Sequence, residues 1–80
     1  MEAFTVFGRP GCGYCIRAKQ VLEMKQLPNK YVDMVKEGIS PADLEQTIGK
    51  PVRTVPQIFH GSTHIGGYTE LEQYLKQLAS

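Results

Sequence analysis

The chain is short of cysteine, of net charge and of long apolar runs, and each shortage excludes a class. Two cysteines in 80 residues cannot build the multi-bridge framework that often compensates for a thin core in small secreted domains. Cys12 and Cys15 stand three apart, so a bond between them closes a loop too short to constrain the unfolded chain much. Stability has to come from helices packed on a sheet. A formal net charge of +1 provides no footprint for nucleic acid or for an anionic lipid surface. No apolar stretch is long enough to cross a membrane, and Met1-Glu2-Ala3 leads almost at once into the first expected strand, without a signal peptide. We therefore expect no nucleic-acid or membrane partner and a cytoplasmic location. In a reducing cytosol, a lone dithiol pair is catalytic or metal-binding. The length fits one domain, expected over residues 1–80.

What is present is a regular succession of elements. Ala3-Phe4-Thr5-Val6-Phe7 reads as a buried strand, and the pattern from about Gly13 to Lys25 as a helix with Cys15, Ala18 and Leu22 on one face. Leu27-Pro28-Asn29 ends that helix, and Lys30-Tyr31-Val32-Asp33-Met34 is a second strand, parallel to the first across a βαβ unit. Ser40-Pro41-Ala42-Asp43 starts a short helix: a serine cap, proline at the first helical position, and an acid three residues after the cap. Gly49-Lys50-Pro51 closes it. Gln57-Ile58-Phe59-His60 and Thr63-His64-Ile65 form a hairpin across Gly61-Ser62. Thr69-Glu70-Leu71-Glu72 reads as a capping box, with Leu71, Tyr74, Leu75 and Leu78 as the apolar stripe of a last helix. The order βαβαββα predicts an α/β fold, a four-stranded mixed sheet with helices on both faces.

The two cysteines sit where strand gives way to helix. The first would lie near solvent at a helix N-terminus, whose unpaired N–H groups favour a thiolate. The second falls one turn further in, on the stripe facing the core, where burial raises a thiol pKa. Cys12 is thus the expected nucleophile and Cys15 the resolving thiol. The competing reading is half of a zinc site completed by His60-x-x-x-His64. The finger pattern wants about 12–15 residues between its halves, whereas here a helix, a strand and a second helix intervene. His60 and His64 are expected exposed beside the hairpin tip, and no metal is expected. Thr54-Val55-Pro56 places a proline at the exposed start of a strand. A trans turn is the commoner arrangement; a cis bond would free the Val55 backbone to pair with an extended peptide. Gly66-Gly67-Tyr68-Thr69 is either a plain flexible connection or a place where a ligand carboxylate meets helix N–H groups.

Taken together, these segments resemble the glutaredoxins, specifically the short dithiol bacterial type. The resemblance runs through Phe7-Gly8-Arg9-Pro10-Gly11-Cys12-Gly13-Tyr14-Cys15, Arg17-Ala18-Lys19, Tyr31-Val32-Asp33, Thr54-Val55-Pro56-Gln57-Ile58-Phe59 and His64-Ile65-Gly66-Gly67-Tyr68-Thr69. It implies a thioredoxin fold and a glutathione-dependent thiol–disulfide oxidoreductase in which Cys12 and Cys15 form the redox-active disulfide. It implies a cis Pro56 facing the dithiol and an extended glutathione paired to the Val55 backbone. The γ-glutamyl carboxylate would meet the N–H groups of Thr69 and Glu70 beside Gly67 and Tyr68. The glycine carboxylate would meet Arg9, with Arg53 as a further basic contact and Tyr14 and Thr54 lining the groove. Glutathione is then a co-substrate, no tightly bound cofactor is expected, and the chain is expected to act as a monomer. Partners are disulfide-containing or glutathionylated proteins, with ribonucleotide reductase the first to consider. Two residues depart from the family pattern: Gly13 where proline is usual, and Glu70 where aspartate is usual. The first keeps open a glutathione-ligated [2Fe–2S] carrier role. A redoxin served by thioredoxin reductase is the other alternative.

Overall fold

The computed structural model describes residues 1–79. Its elements are β1 (Phe4–Gly8), α1 (Gly13–Met24), β2 (Asn29–Asp33), α2 (Pro41–Ile48), β3 (Gln57–His60), β4 (Thr63–Gly66) and α3 (Tyr68–Ala79). The sheet order is β2-β1-β3-β4. β1 pairs parallel with β2, setting Val6 opposite Tyr31 and Gly8 opposite Asp33. It pairs antiparallel with β3, setting Val6 opposite Ile58. The hairpin β3–β4 completes a mixed sheet, as expected.

Strand alternation divides β1 between two cores. Phe4 and Val6 point to one face, where Ala18 and Leu22 of α1, Ile58 of β3, and Leu71 and Leu75 of α3 close over them. Phe7 points to the other face and joins Met34, Leu44 and Val52, with Ile39, Ile48 and Val55 at the margin. Helices therefore cover both faces, and the C-terminal end of β1, where the two cores meet, delivers the chain to the cysteines.

Local signals fixed several ends. Ser40 Oγ accepts from the Asp43 N–H at 3.2 Å, and an Asp43 carboxylate oxygen accepts from the Ser40 N–H at 2.8 Å, a reciprocal capping box on α2. Gly49 closes α2 at φ 81°, a left-handed conformation that glycine adopts without penalty. Chiefly the bond from the Ser40 backbone, then its hydroxyl, holds the Asp43 carboxyl below its ordinary value of 3.8. A carboxyl depressed in the folded state contributes stability above its unfolded pKa and loses it as pH falls through the folded one. Asp43→Asn should therefore be less stable than the parent at neutral pH, and the gap should close as pH falls below about 3.8. Paired thermal melts across that range check it.

Four details differ from the sequence reading. Thr69 does not cap α3: the cap lies two residues earlier, at Gly67, and the Glu70 carboxylate accepts from the Gly67 N–H at 2.7 Å. Glycine there has no side chain to offer, so only the acid's half of the box forms. Leu78, expected on the covered stripe, is 46 % exposed on the last turn of α3. Pro56 is buried rather than at an exposed strand start. His60 and His64 are half-buried: His60 stacks on Phe4 at 4.1 Å, with Nδ1 2.7 Å from the Tyr74 hydroxyl, and His64 bonds to Gln57. These imidazoles serve as flat, partly apolar packing pieces.

Candidate active site

β1 ends at Gly8, the chain turns through Gly11 at φ 78°, and Cys12 becomes the N-cap of α1. Its φ of −91° and ψ of 108° turn its side chain back over the first helical turn. There its Sγ accepts the Cys15 N–H at 3.1 Å. A sulfur thus takes the place of the usual cap oxygen and satisfies one orphan donor. Were the disulfide reduced, a Cys12 thiolate facing that N–H would gain more from it than a neutral sulfur does. Cys12 and Cys15 are joined as a disulfide with Cα atoms 5.3 Å apart. Cys12 is partly exposed and Cys15 has no exposed surface, the asymmetry expected of attacking and resolving thiols. Among the described residues no group of three or more His, Cys, Asp and Glu could hold a metal ion.

Cys12 Sγ also lies 3.8 Å from the carbonyl oxygen of Val55, so the loop before β3 crosses directly beside the disulfide. The Val55–Pro56 bond is cis. Gln57 secures this loop: its side-chain amide donates to the Thr54 carbonyl at 2.9 Å, and its other end meets His64 Nε2 at 2.8 Å. Burial, with a smaller contribution from Lys50, holds the His64 pKa below 6.5, so a neutral ring whose Nε2–H donates to Gln57 is the state that fits.

A groove of about 200 Å³ runs away from the disulfide, lined by Tyr14, Thr54, Val55, Pro56, Gly67, Tyr68, Thr69 and Glu70. Eight of the residues picked out from the sequence thus line one surface. The Tyr14 and Tyr68 rings lie 5.7 Å apart across it, and Tyr14 is 59 % exposed. At the far end the first-turn N–H groups of α3 have no partners within the helix. Arg9 stands apart from this groove. It lines an adjoining cleft with Arg53, Val35 and Ile39, which shares Thr54 and Val55 with the groove, and a further hollow with Pro10, Gly11 and Cys12.

Two residues not singled out from the sequence belong to the site. Gln57 is a buried polar residue at 8 % exposure in β3, and an amide beside a proline leading into Ile58-Phe59 is the signal that could have found it. Gly8 lies beneath the dithiol: a Cβ there would stand 2.9 Å from Cys15 Sγ and collide with the Tyr31 hydroxyl. Nothing local marks that requirement, since it comes from the helix packing over β1.

Comparison with known proteins agrees with this geometry. The glutaredoxin family model matches residues 4–65. The glutaredoxin of Vibrio cholerae is 54 % identical over 78 residues, covering 91 % of this chain and 90 % of that protein. The chain belongs to the glutaredoxin family. The solved structure of reduced Escherichia coli glutaredoxin superposes with a TM-score of 0.86 at 45 % identity, covering 98 % of this chain and 99 % of that one. A buckwheat glutaredoxin–glutathione complex superposes at 0.77 with 29 % identity, covering 92 % of this chain and 68 % of that one. The architecture is the thioredoxin fold of glutaredoxins. The Cys12–Cys15 pair makes this glutaredoxin a thiol–disulfide oxidoreductase. No helix among the described residues is long and apolar enough to cross a membrane.

Proposed function

We propose that this glutaredoxin uses glutathione to reduce protein disulfides and glutathione mixed disulfides in the cytoplasm, acting as a monomer. The observation that carries this reading is the groove: it begins beside the disulfide and ends at the open N–H groups of α3, a span for an extended peptide with a carboxylate at its end. The buckwheat relative's complex with glutathione supports the same ligand class. In this reading the glutathione backbone pairs with Val55 beside Pro56, and Tyr14 and Thr54 flank it. The γ-glutamyl carboxylate takes the N–H groups of Thr69 and Glu70, beside Gly67 and Tyr68. Arg9, in the adjoining cleft, takes the glycine carboxylate.

The chemistry follows from the two sulfurs. Cys12 thiolate attacks the glutathione sulfur of a mixed disulfide and the substrate thiolate leaves. A second glutathione thiolate then attacks the Cys12-bound glutathione, releasing oxidised glutathione and regenerating Cys12. With a protein disulfide, Cys12 forms the mixed bond, Cys15 attacks Cys12 Sγ, and the substrate leaves as a dithiol. Two glutathiones then reopen the Cys12–Cys15 bond. A low thiol pKa helps both as a populated attacking thiolate and as a good leaving group. Ribonucleotide reductase is the protein substrate to test first.

The test is NADPH consumption with a small glutathione mixed disulfide, glutathione and glutathione reductase. Turnover is the expected result. No turnover there, but turnover of a protein disulfide once thioredoxin reductase replaces the glutathione system, overturns the reading.

A further inference from the structure

Tyr31 has no part in the chemistry described so far, yet its hydroxyl lies near the buried half of the dithiol. It stands on β2 opposite Val6, so it points to the face that α1 covers. Its ring packs against the main core, and Lys19 Nζ of α1 lies 5.9 Å from the ring centroid. One side-chain step further along β1, a Cβ placed on Gly8 would meet three atoms: the Tyr31 hydroxyl oxygen, Cys15 Cβ at 2.8 Å and Cys15 Sγ at 2.9 Å. Hydroxyl and sulfur therefore close around the same point, leaving no room for a side-chain carbon at position 8.

Cys15 has no exposed surface, so solvent does not solvate its sulfur. When a reductant thiolate attacks Cys12 Sγ, the S–S bond breaks and its electron pair leaves on Cys15 Sγ. A thiolate formed in a dry, apolar site is costly unless a donor meets it. We propose that Tyr31 is a positioning residue for the resolving cysteine, its O–H donating a hydrogen bond to Cys15 Sγ as the disulfide opens. Freed from the disulfide, that sulfur reaches the hydroxyl by rotation about its Cα–Cβ bond. The proton that finally neutralises Cys15 comes from the reductant thiol or from solvent, and the phenol keeps its own. Burial first, and the Asp33 carboxylate second, push the Tyr31 pKa up, so it donates a hydrogen bond rather than its proton. A disulfide sulfur, uncharged and a weak acceptor, gains less from the same donor than a thiolate does. The bond therefore eases the opening of the disulfide. This inference rests on thiol–disulfide exchange between Cys12 and Cys15 and not on the glutathione reading.

Tyr31→Phe keeps the ring and removes the donor. The rate of disulfide opening should be measured in excess dithiothreitol by acid quenching, alkylation and mass spectrometry. We expect Tyr31→Phe to slow that opening about fivefold, the weight of one hydrogen bond. In a Cys12→Ser background, alkylation of Cys15 should also need a higher pH in the Tyr31→Phe variant. A merely structural role moves neither readout in Tyr31→Phe. A rate within about twofold of the parent's, a faster opening, or a slowing in Tyr31→Leu that Tyr31→Phe does not share overturns the proposal. Reduction by dithiothreitol bypasses the glutathione groove, so its outcome stands apart from that of the coupled assay.

Discussion

Cys12→Ser should abolish turnover by every route, by about a thousandfold or more, the scale on which loss of a nucleophile acts. Cys15→Ser should spare the reduction of a small glutathione mixed disulfide and lose only the route through protein disulfides. The difference follows from the cap. Cys12 Sγ receives its hydrogen bond at 3.1 Å from the Cys15 main-chain N–H, and a backbone donor survives any side-chain change at position 15. What Cys15→Ser removes is the second sulfur, and with it the attack that expels a protein substrate from Cys12. The glutathione-coupled assay with both substrates separates the two variants. Equal loss in both would mean that Cys15 supports Cys12 itself, and the division of roles would be wrong.

Leu22→Ala should have the largest effect on stability. Leu22 has no exposed surface and lies with Phe4, Val6, Ile58, Leu71 and Leu75 in the core that joins α1 and α3 to the sheet. Truncating a buried leucine costs about 2–5 kcal/mol, whereas a domain of this length holds about 4–12 kcal/mol in all. At about 4–8 °C per kcal/mol for a domain this small, the melting temperature should fall by about 8–40 °C. Leu78→Ala is the control: the last member of the apolar stripe on α3 but 46 % exposed, it should change stability by less than about 0.5 kcal/mol. Thermal melts followed by circular dichroism decide both. Comparable losses in the two would mean that α3 packs over more of its length than the sheet can cover.

That contrast shows where sequence stops being enough. The stripe Leu71, Tyr74, Leu75, Leu78 identifies a helix and its inner face, but whether its last member is covered depends on how far the sheet extends beneath it. The serine cap and Gly49 were legible because a cap is a local contract between residues three apart. The α3 start lies two residues before the one that Thr69 and Glu72 marked, because Gly67 takes the cap and the carboxylate of Glu70, three residues on, closes it. The dithiol was legible from its spacing and its place between strand and helix. Its burial asymmetry followed from the helical repeat that puts Cys15 with Ala18 and Leu22. What spacing does not reveal is anything made by two distant segments at once. The close approach of Gly8, Tyr31 and Cys15, and the Gln57–His64 brace on the Thr54 carbonyl, exist only after the sheet has formed.

The sulfur cap at Cys12 has a consequence for how this protein can vary. Its donor is main chain, so the two residues inside the motif are released from any duty to the nucleophile. At Gly13 a side chain would meet nothing within 4 Å. As the first residue of α1, it also occupies the position where a helix tolerates proline, since the N–H lost there has no helical partner anyway. Position 13 is thus a tuning screw set outside the load path, where the chain's stiffness beside the disulfide can drift between lineages while fold and nucleophile stay as they are.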